Sequence, residues 1–206
     1  MLLTYLTILL ILVIIELIYF KIADKCNIID KPNERSSHSS IVLRGGGIIF
    51  PLSVLVWVGM LGVAGDIDTI IGYLPFLIGL IIIAGVSFWD DVRSLPDGVR
   101  LVAQFVAMGL MFWNLGIMHW NMWWGVLIAL IVFVGATNII NFMDGINGIT
   151  AGYSLSVLVP LLLLNRGLEF VDESLLDVVI LGVLVFAFFN FGRAERRSAL
   201  PEMSGL

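Results

Sequence analysis

The chain has 206 residues, of which 60% are hydrophobic and 13% charged, and its mean hydropathy is +1.06. A soluble domain carries about 25% charged and 45–50% apolar residues, so an ordinary water-soluble fold is excluded. A net charge of −5 argues for no nucleic-acid partner, and the single Cys26 excludes a disulfide framework or a cysteine-based zinc site.

Crossing a bilayer takes about 20 apolar residues rising roughly 1.5 Å each. In chain order the qualifying segments are 2–20, 45–65, 70–89, 101–118, 123–141, 148–164 and 178–191. The predicted fold is therefore all-α, a polytopic transmembrane bundle of about seven spans. Residues 1–191 form its membrane domain, and 192–206 a polar tail of unrelated character. The first segment is expected to be a true span, because residues 1–5 carry no basic charge and no small-x-small cleavage site follows. The polar connections, chiefly 21–44, 90–100 and 165–177, are too short to hold a soluble core.

Basic residues set the predicted orientation. With the N-terminus outside, the cytoplasmic side holds Lys21, Lys25, Lys31, Arg35, Arg44, Arg93, Arg100, Arg193, Arg196 and Arg197, which is ten of the eleven Lys and Arg. Only Arg166 falls outside, and the C-terminus lies in the cytoplasm. Trp120, Trp123 and Trp124 sit at an outer boundary, as an interfacial aromatic belt does.

Three cytoplasmic loops collect the polar chemistry. One runs from Asp30 through Pro32, Asn33, Arg35 and His38 to Arg44, Gly45, Gly46 and Gly47. The second holds Asp90, Asp91, Arg93, Asp97 and Arg100; the third holds Asn138, Asn141, Asp144, Asn147 and Gly148. Spans three and five run inward, so their partially negative C-terminal ends carry Asp90, Asp91 and Asp144, which calls for a compensating cation. Spans two, four and six start on the same side with free N–H groups, which favour anions. Gly45, Gly46 and Gly47 let backbone approach a phosphate closely, with Arg44 beside them. Carboxylates for a divalent cation next to amide ends for phosphate make a diphosphate site. Glu16, the one acid inside a span, is expected to snorkel or pair near the inner boundary.

Each element also has a plainer reading. Asp90 and Asp91 would serve as a boundary pair solvated by headgroups and Arg93, one of them purely structural. Asp144 or Asn147 would cap span six, and Asn138, Asn141 and Asp144, spaced i, i+3, i+6, would bond across the bundle. The three glycines would serve close helix packing, and His38 nothing in particular. The coincidence of all three loops on one side favours the site.

These loops resemble those of the polyprenyl-phosphate N-acetylhexosamine-1-phosphate transferases (glycosyl transferase family 4), nearest the bacterial UDP-GlcNAc:undecaprenyl-phosphate GlcNAc-1-phosphate transferase branch. The superfamily includes phospho-MurNAc-pentapeptide translocase and the initiators of O-antigen, enterobacterial common antigen and teichoic acid synthesis. The matching runs are Asp30-x-Pro-Asn-x-Arg-Ser-Ser-His38 with Arg44-Gly-Gly-Gly, then Phe88-Trp-Asp-Asp-x-Arg-Ser-Leu-Pro with Arg100-Leu-x-x-Gln104, then Asn138-x-x-Asn-Phe-Met-Asp-Gly-Ile-Asn-Gly148. The resemblance implies a multi-pass enzyme of the bacterial plasma membrane with a cytoplasmic active face. It implies Mg2+ as cofactor, UDP-HexNAc and polyprenyl phosphate as substrates, and a homodimer as the candidate assembly. Asp90, Asp91 and Asp144 would be catalytic, with Asp91 and Asp144 at the metal. His38, Arg44, Gly45, Gly46, Gly47, Asn138 and Asn141 would bind substrate. Asn147 stands where the wider family often has Asp.

After Phe189-Asn190-Phe191 the family continues with a Phe-Met-Gly-Asp loop whose Asp binds Mg2+, followed by further spans. Here Gly192 opens a tail with no apolar run. The expectation is a truncated or frameshifted chain that inserts in the membrane with little or no turnover. The alternatives are a non-catalytic membrane fragment or a small transporter; the absence of charged residues at mid-span disfavours the transporter.

Overall fold

A computed structural model describes residues 2–26, 28–30, 42–43, 46–118, 120–143 and 148–191. Among them the helices are α1 (Leu2–Lys25), α2 (Ile49–Ala64), α3 (Ile67–Gly72), α4 (Leu74–Val92), α5 (Asp97–Asn114), α6 (Trp123–Met143), α7 (Ile149–Leu168) and α8 (Glu173–Asn190). Two-residue strands β1 (Ile29–Asp30) and β2 (Val42–Leu43) pair antiparallel between α1 and α2. Apart from this short pair the described residues form helices and their connections, and the chain is a helical, multi-pass membrane protein.

Local capping explains where the helices depart from the expected spans. Asp66 accepts the Thr69 N–H at 3.2 Å and its hydroxyl at 2.8 Å, starting the short α3. Pro75, which tolerates a first turn because its missing N–H is an orphan there, restarts the chain as α4. The expected span 70–89 is thus divided. Asp172 Oδ1 accepts the N–H groups of Ser174 at 2.9 Å and Leu175 at 3.3 Å, so α8 begins at Glu173 rather than 178. α7 runs on to Leu168, and the connection after it is closed by Asn165. Its amide donates to the Val171 carbonyl at 2.8 Å and accepts the Val171 N–H at 3.0 Å.

The chain forms two compact units, one of residues 1–59 and 144–206, the other of residues 60–143. In the first, α8 packs on three helices. Tyr5 donates to Asp177 at 2.5 Å, and Phe20 meets Phe189 edge-on at 5.0 Å, so α1 runs parallel to α8. Trp57 Nε1 donates to Ser174 Oγ at 2.8 Å and Phe50 meets Phe186 at 5.0 Å, so α2 runs antiparallel to it. The Gly148 N–H at the start of α7 donates to Asn190 Oδ1 at the end of α8. The buried stripe of α1 is Ile8, Leu12, Glu16, Tyr19, Phe20 and Ala23, spaced three and four apart as a helix face requires. Glu16 falls on that stripe. It is 0% exposed, and neither of its oxygens has a hydrogen-bond partner among the described residues, so it does not snorkel.

The second unit is built on α5. At one end of the α4–α5 hairpin Asn114 Oδ1 accepts the Phe76 N–H at 3.2 Å; at the other Arg100 lies 3.3 Å from Asp90. Between them Gly79 sits so close to α5 that a Cβ there would lie 2.9 Å from the Ala107 carbonyl oxygen. α6 packs antiparallel on the same helix, through Phe112 on Phe133 at 5.8 Å and Gln104 on Asn138. α4 and α6 therefore run in the same direction.

Six helices are long and apolar enough to cross a membrane by length and composition: α1, α2 with its leading turn, α4, α6, α7 and α8. α5, the remaining expected span, falls outside that set. Yet it joins two parallel spans, and 18 residues rise about 27 Å, close to the hydrocarbon thickness of about 30 Å. Its length is that of a return crossing between them. It begins at Asp97 rather than at 101, and its polar Arg100, Gln104 and Asn114 are each bonded to a neighbouring helix.

Candidate functional site

The polar residues of the second unit gather at one end of the α4–α5–α6 layer. Asp90 and Asp91 occupy the last turn of α4, which ends at Val92. Adjacent helical residues point about 100° apart, and the two carboxylates have separate surroundings. Asp90 Oδ1 accepts the Leu95 N–H at 2.7 Å, folding the connection back under the helix, and Asp90 Oδ2 takes Arg100 at 3.3 Å. The cation that answers this C-terminal carboxylate is thus Arg100, not Arg93, which is exposed and forms the C-cap of α4. Asp91 is half-buried.

Asn138 and Asn141 lie in the last two turns of α6. Asn138 is held face to face with Gln104: its Nδ2 donates to Gln104 Oε1 at 2.7 Å, and its Oδ1 accepts from Gln104 Nε2 at 3.3 Å. The same Nδ2 also donates to the Val134 carbonyl, one turn back, at 2.8 Å. Asn141, one turn further on, is exposed. Arg100 and Gln104 are four residues apart on α5, and so share a face. One stripe of α5 therefore holds the end of α4 through Asp90 and the end of α6 through Asn138.

In the first unit Gly46 and Gly47 form the 3-10 turn leading into α2, and both are buried. His38, Arg44, Gly45 and Asp144 lie outside the described residues, as does Asn147. Gly148, the last residue of the third loop, has φ +88 and is pinned by the buried Asn190. A Cβ here would strike the Phe191 ring, so any other residue strains the backbone and must displace that ring.

Residues 73–196 match the profile of glycosyl transferase family 4, which covers more than half the chain. The chain belongs to that family. It is also 29% identical over 200 residues to a Bacillus subtilis (strain 168) protein described as "Probable undecaprenyl-phosphate N-acetylglucosaminyl 1-phosphate transferase". That alignment covers 91% of this chain and 54% of the relative, so the chain spans about half the relative's length. No solved structure matches it.

In this member of glycosyl transferase family 4, two residues outside the sequence-predicted set hold helix ends in place, Gln104 and Asn190. Gln104 stood only as a motif letter; the clue was its i, i+4 spacing from Arg100 in an otherwise apolar run. Asn190 is the lone amide at the end of the apolar α8, and it accepts the Gly148 N–H at the start of α7. Among the described residues no group of three or more His, Cys, Asp or Glu is placed to hold a metal ion.

Proposed function

We propose that this chain's polar loops serve the transfer of an N-acetylhexosamine 1-phosphate from a UDP-sugar to undecaprenyl phosphate, with release of UMP, at the cytoplasmic face of the bacterial plasma membrane. The observation that carries the reading is the convergence of Asp90, Asp91, Asn138 and Asn141 at one end of the α4–α5–α6 layer, in a chain whose family transfers glycosyl groups. The step forms a bond between a lipid phosphate oxygen and the β-phosphorus and breaks the bond from that phosphorus to UMP. A phosphate monoester is already largely ionised near neutral pH, so positioning and charge stabilisation supply most of the acceleration.

In this scheme Asp90 orients the lipid phosphate, and Arg100 holds Asp90 in place. Asn141 and Asp144 line the nucleotide side, while Arg44, Gly45, Gly46, Gly47 and His38 meet phosphate oxygens. The donor set suits Mg2+, which prefers hard oxygen ligands and is commonly held by one or two carboxylates together with substrate phosphates. Asp91 and Asp144 would hold it, and when bound it neutralises charge across the diphosphate. The buried state of Gly46 and Gly47 also supports the plainer packing role for those two residues.

The test is equilibrium binding of UDP-GlcNAc to the chain in lipid nanodiscs, with and without Mg2+, alongside UMP release on adding undecaprenyl phosphate. Mg2+-dependent binding that Asp91→Asn and Asp144→Asn weaken supports the reading. Binding with no UMP release points to a site whose turnover needs residues beyond these 206. No binding under any condition, or solute flux across vesicles without UDP-sugar, overturns it. In a full-length version Asp90→Asn should lower turnover far more than binding, and Lys25→Ala, at the exposed end of α1, should lower neither.

A further inference from the structure

We propose that Gln104 is a positioning residue that fixes the end of α6, and that the amide of Asn138 is committed to this clasp rather than to substrate. The argument is one of donor supply. An asparagine amide has two N–H donors. Those of Asn138 go to Gln104 Oε1 at 2.7 Å and Val134 O at 2.8 Å. Its carbonyl oxygen already accepts from Gln104 at 3.3 Å. To donate to a phosphate or a ribose, Asn138 would have to abandon one of these bonds, and abandoning the first would strand Gln104.

Gln104 cannot be stranded cheaply. It is the buried polar side chain of the second unit among the described residues, 9% exposed, on the helix that packs against both α4 and α6. A buried amide without a partner loses its hydrogen bonds to water and gains none in return, and a bilayer offers it no better outlet. The pair therefore holds together, and it holds α6 at a set rotation about its axis. That rotation decides where Asn141, one turn on, presents its amide. Arg100, one turn before Gln104, fixes Asp90 by the same helix face. Gln104 thus links the carboxylate end of α4 to the amide end of α6 without touching substrate.

The proposal rests on the transferase reading only for what Asn141 is positioned to do, and the experiment separates the two. Gln104→Asn and Asn138→Gln each leave a clasp of the wrong length, whereas the double exchange Gln104→Asn/Asn138→Gln restores one long and one short amide. Amide hydrogen exchange over residues 138–143, measured in nanodiscs without any ligand, should speed up about tenfold in each single variant and return to within about twofold of wild type in the exchange. UDP-GlcNAc binding should follow the same pattern. Unchanged exchange rates in Gln104→Asn, or a double exchange no better than the singles, would overturn the clasp. Restored exchange rates with binding still lost would assign Asn138 to the ligand and overturn the second half. If wild type binds no UDP-GlcNAc at all, the transferase reading fails while the hydrogen-exchange result still decides the clasp.

Discussion

Arg100 reaches Asp90 from the first turn of α5, with Nη1 3.3 Å from Asp90 Oδ2, while the other oxygen of the same carboxylate accepts the Leu95 N–H at 2.7 Å. A carboxylate at a helix C-terminus faces the partial negative charge of that end, and a cation beside it removes the penalty. The pair is partly exposed, at 29% and 21%, so its worth is about 1 kcal/mol at most. Arg100→Gln is expected to cost that much in unfolding from mixed micelles and to raise hydrogen exchange at the Leu95 amide. An unchanged Leu95 amide would mean that Asp90 holds the turn without help from α5.

The close approach of α4 and α5 makes a sharper prediction. A methyl group at Gly79 would lie 2.9 Å from a backbone oxygen of Ala107, which cannot rotate away, so the two helices must separate. Gly79→Ala is expected to cost about 1–3 kcal/mol. Gly85, on the same helix, has open space around its missing Cβ. Gly85→Ala should be neutral or stabilise by up to about 1 kcal/mol through helix propensity. Equal effects of the two substitutions would show that the hairpin is looser than its geometry.

Hydrophobic runs located the six helices long and apolar enough to cross a membrane, because lipid tolerates no unbonded backbone and so favours helix over long apolar stretches. What the runs hid was the use made of their polar interruptions. Arg100 pushed the expected start of the fourth span to 101, whereas α5 begins at Asp97 and spends Arg100, Gln104 and Asn114 on its neighbours. The Asp90–Asp91 pair was legible as a helix end in need of a cation, but composition could not choose Arg100 over Arg93, because the choice depends on how α5 folds back. Spacing and motif mark Asn138 as a candidate. That its amide is occupied depends on Gln104, 34 residues away in sequence, and no local pattern carries such a contact.

Gly148 combines two constraints that can be separated. Its φ of +88 is poor for any L side chain, at about 1–2 kcal/mol, and the Phe191 ring fills the space a Cβ would take. Gly148→Ala should therefore destabilise by more than the backbone term alone. Phe191→Ala, at an exposed position, should cost little by itself but recover part of the loss in the Gly148→Ala background. A double-mutant cycle on thermal unfolding reads the coupling directly. Strict additivity would remove the ring from the explanation.

The last prediction concerns Glu16. Its side chain is fully buried on the α1 stripe between Leu12 and Phe20, and no described residue gives either oxygen a hydrogen bond. Leaving a buried polar group unbonded costs about 1–3 kcal/mol, and replacing it with an apolar side chain of similar size removes that cost. Glu16→Leu is therefore expected to raise resistance to unfolding in mixed micelles by about that amount. Glu16→Gln keeps the shape and leaves polar atoms unbonded, so it should stay near wild type. If Glu16→Leu instead destabilised the chain while Glu16→Gln did not, the carboxyl would have a hydrogen-bonding partner beyond the described residues, and the stripe would be a binding contact rather than a packing face.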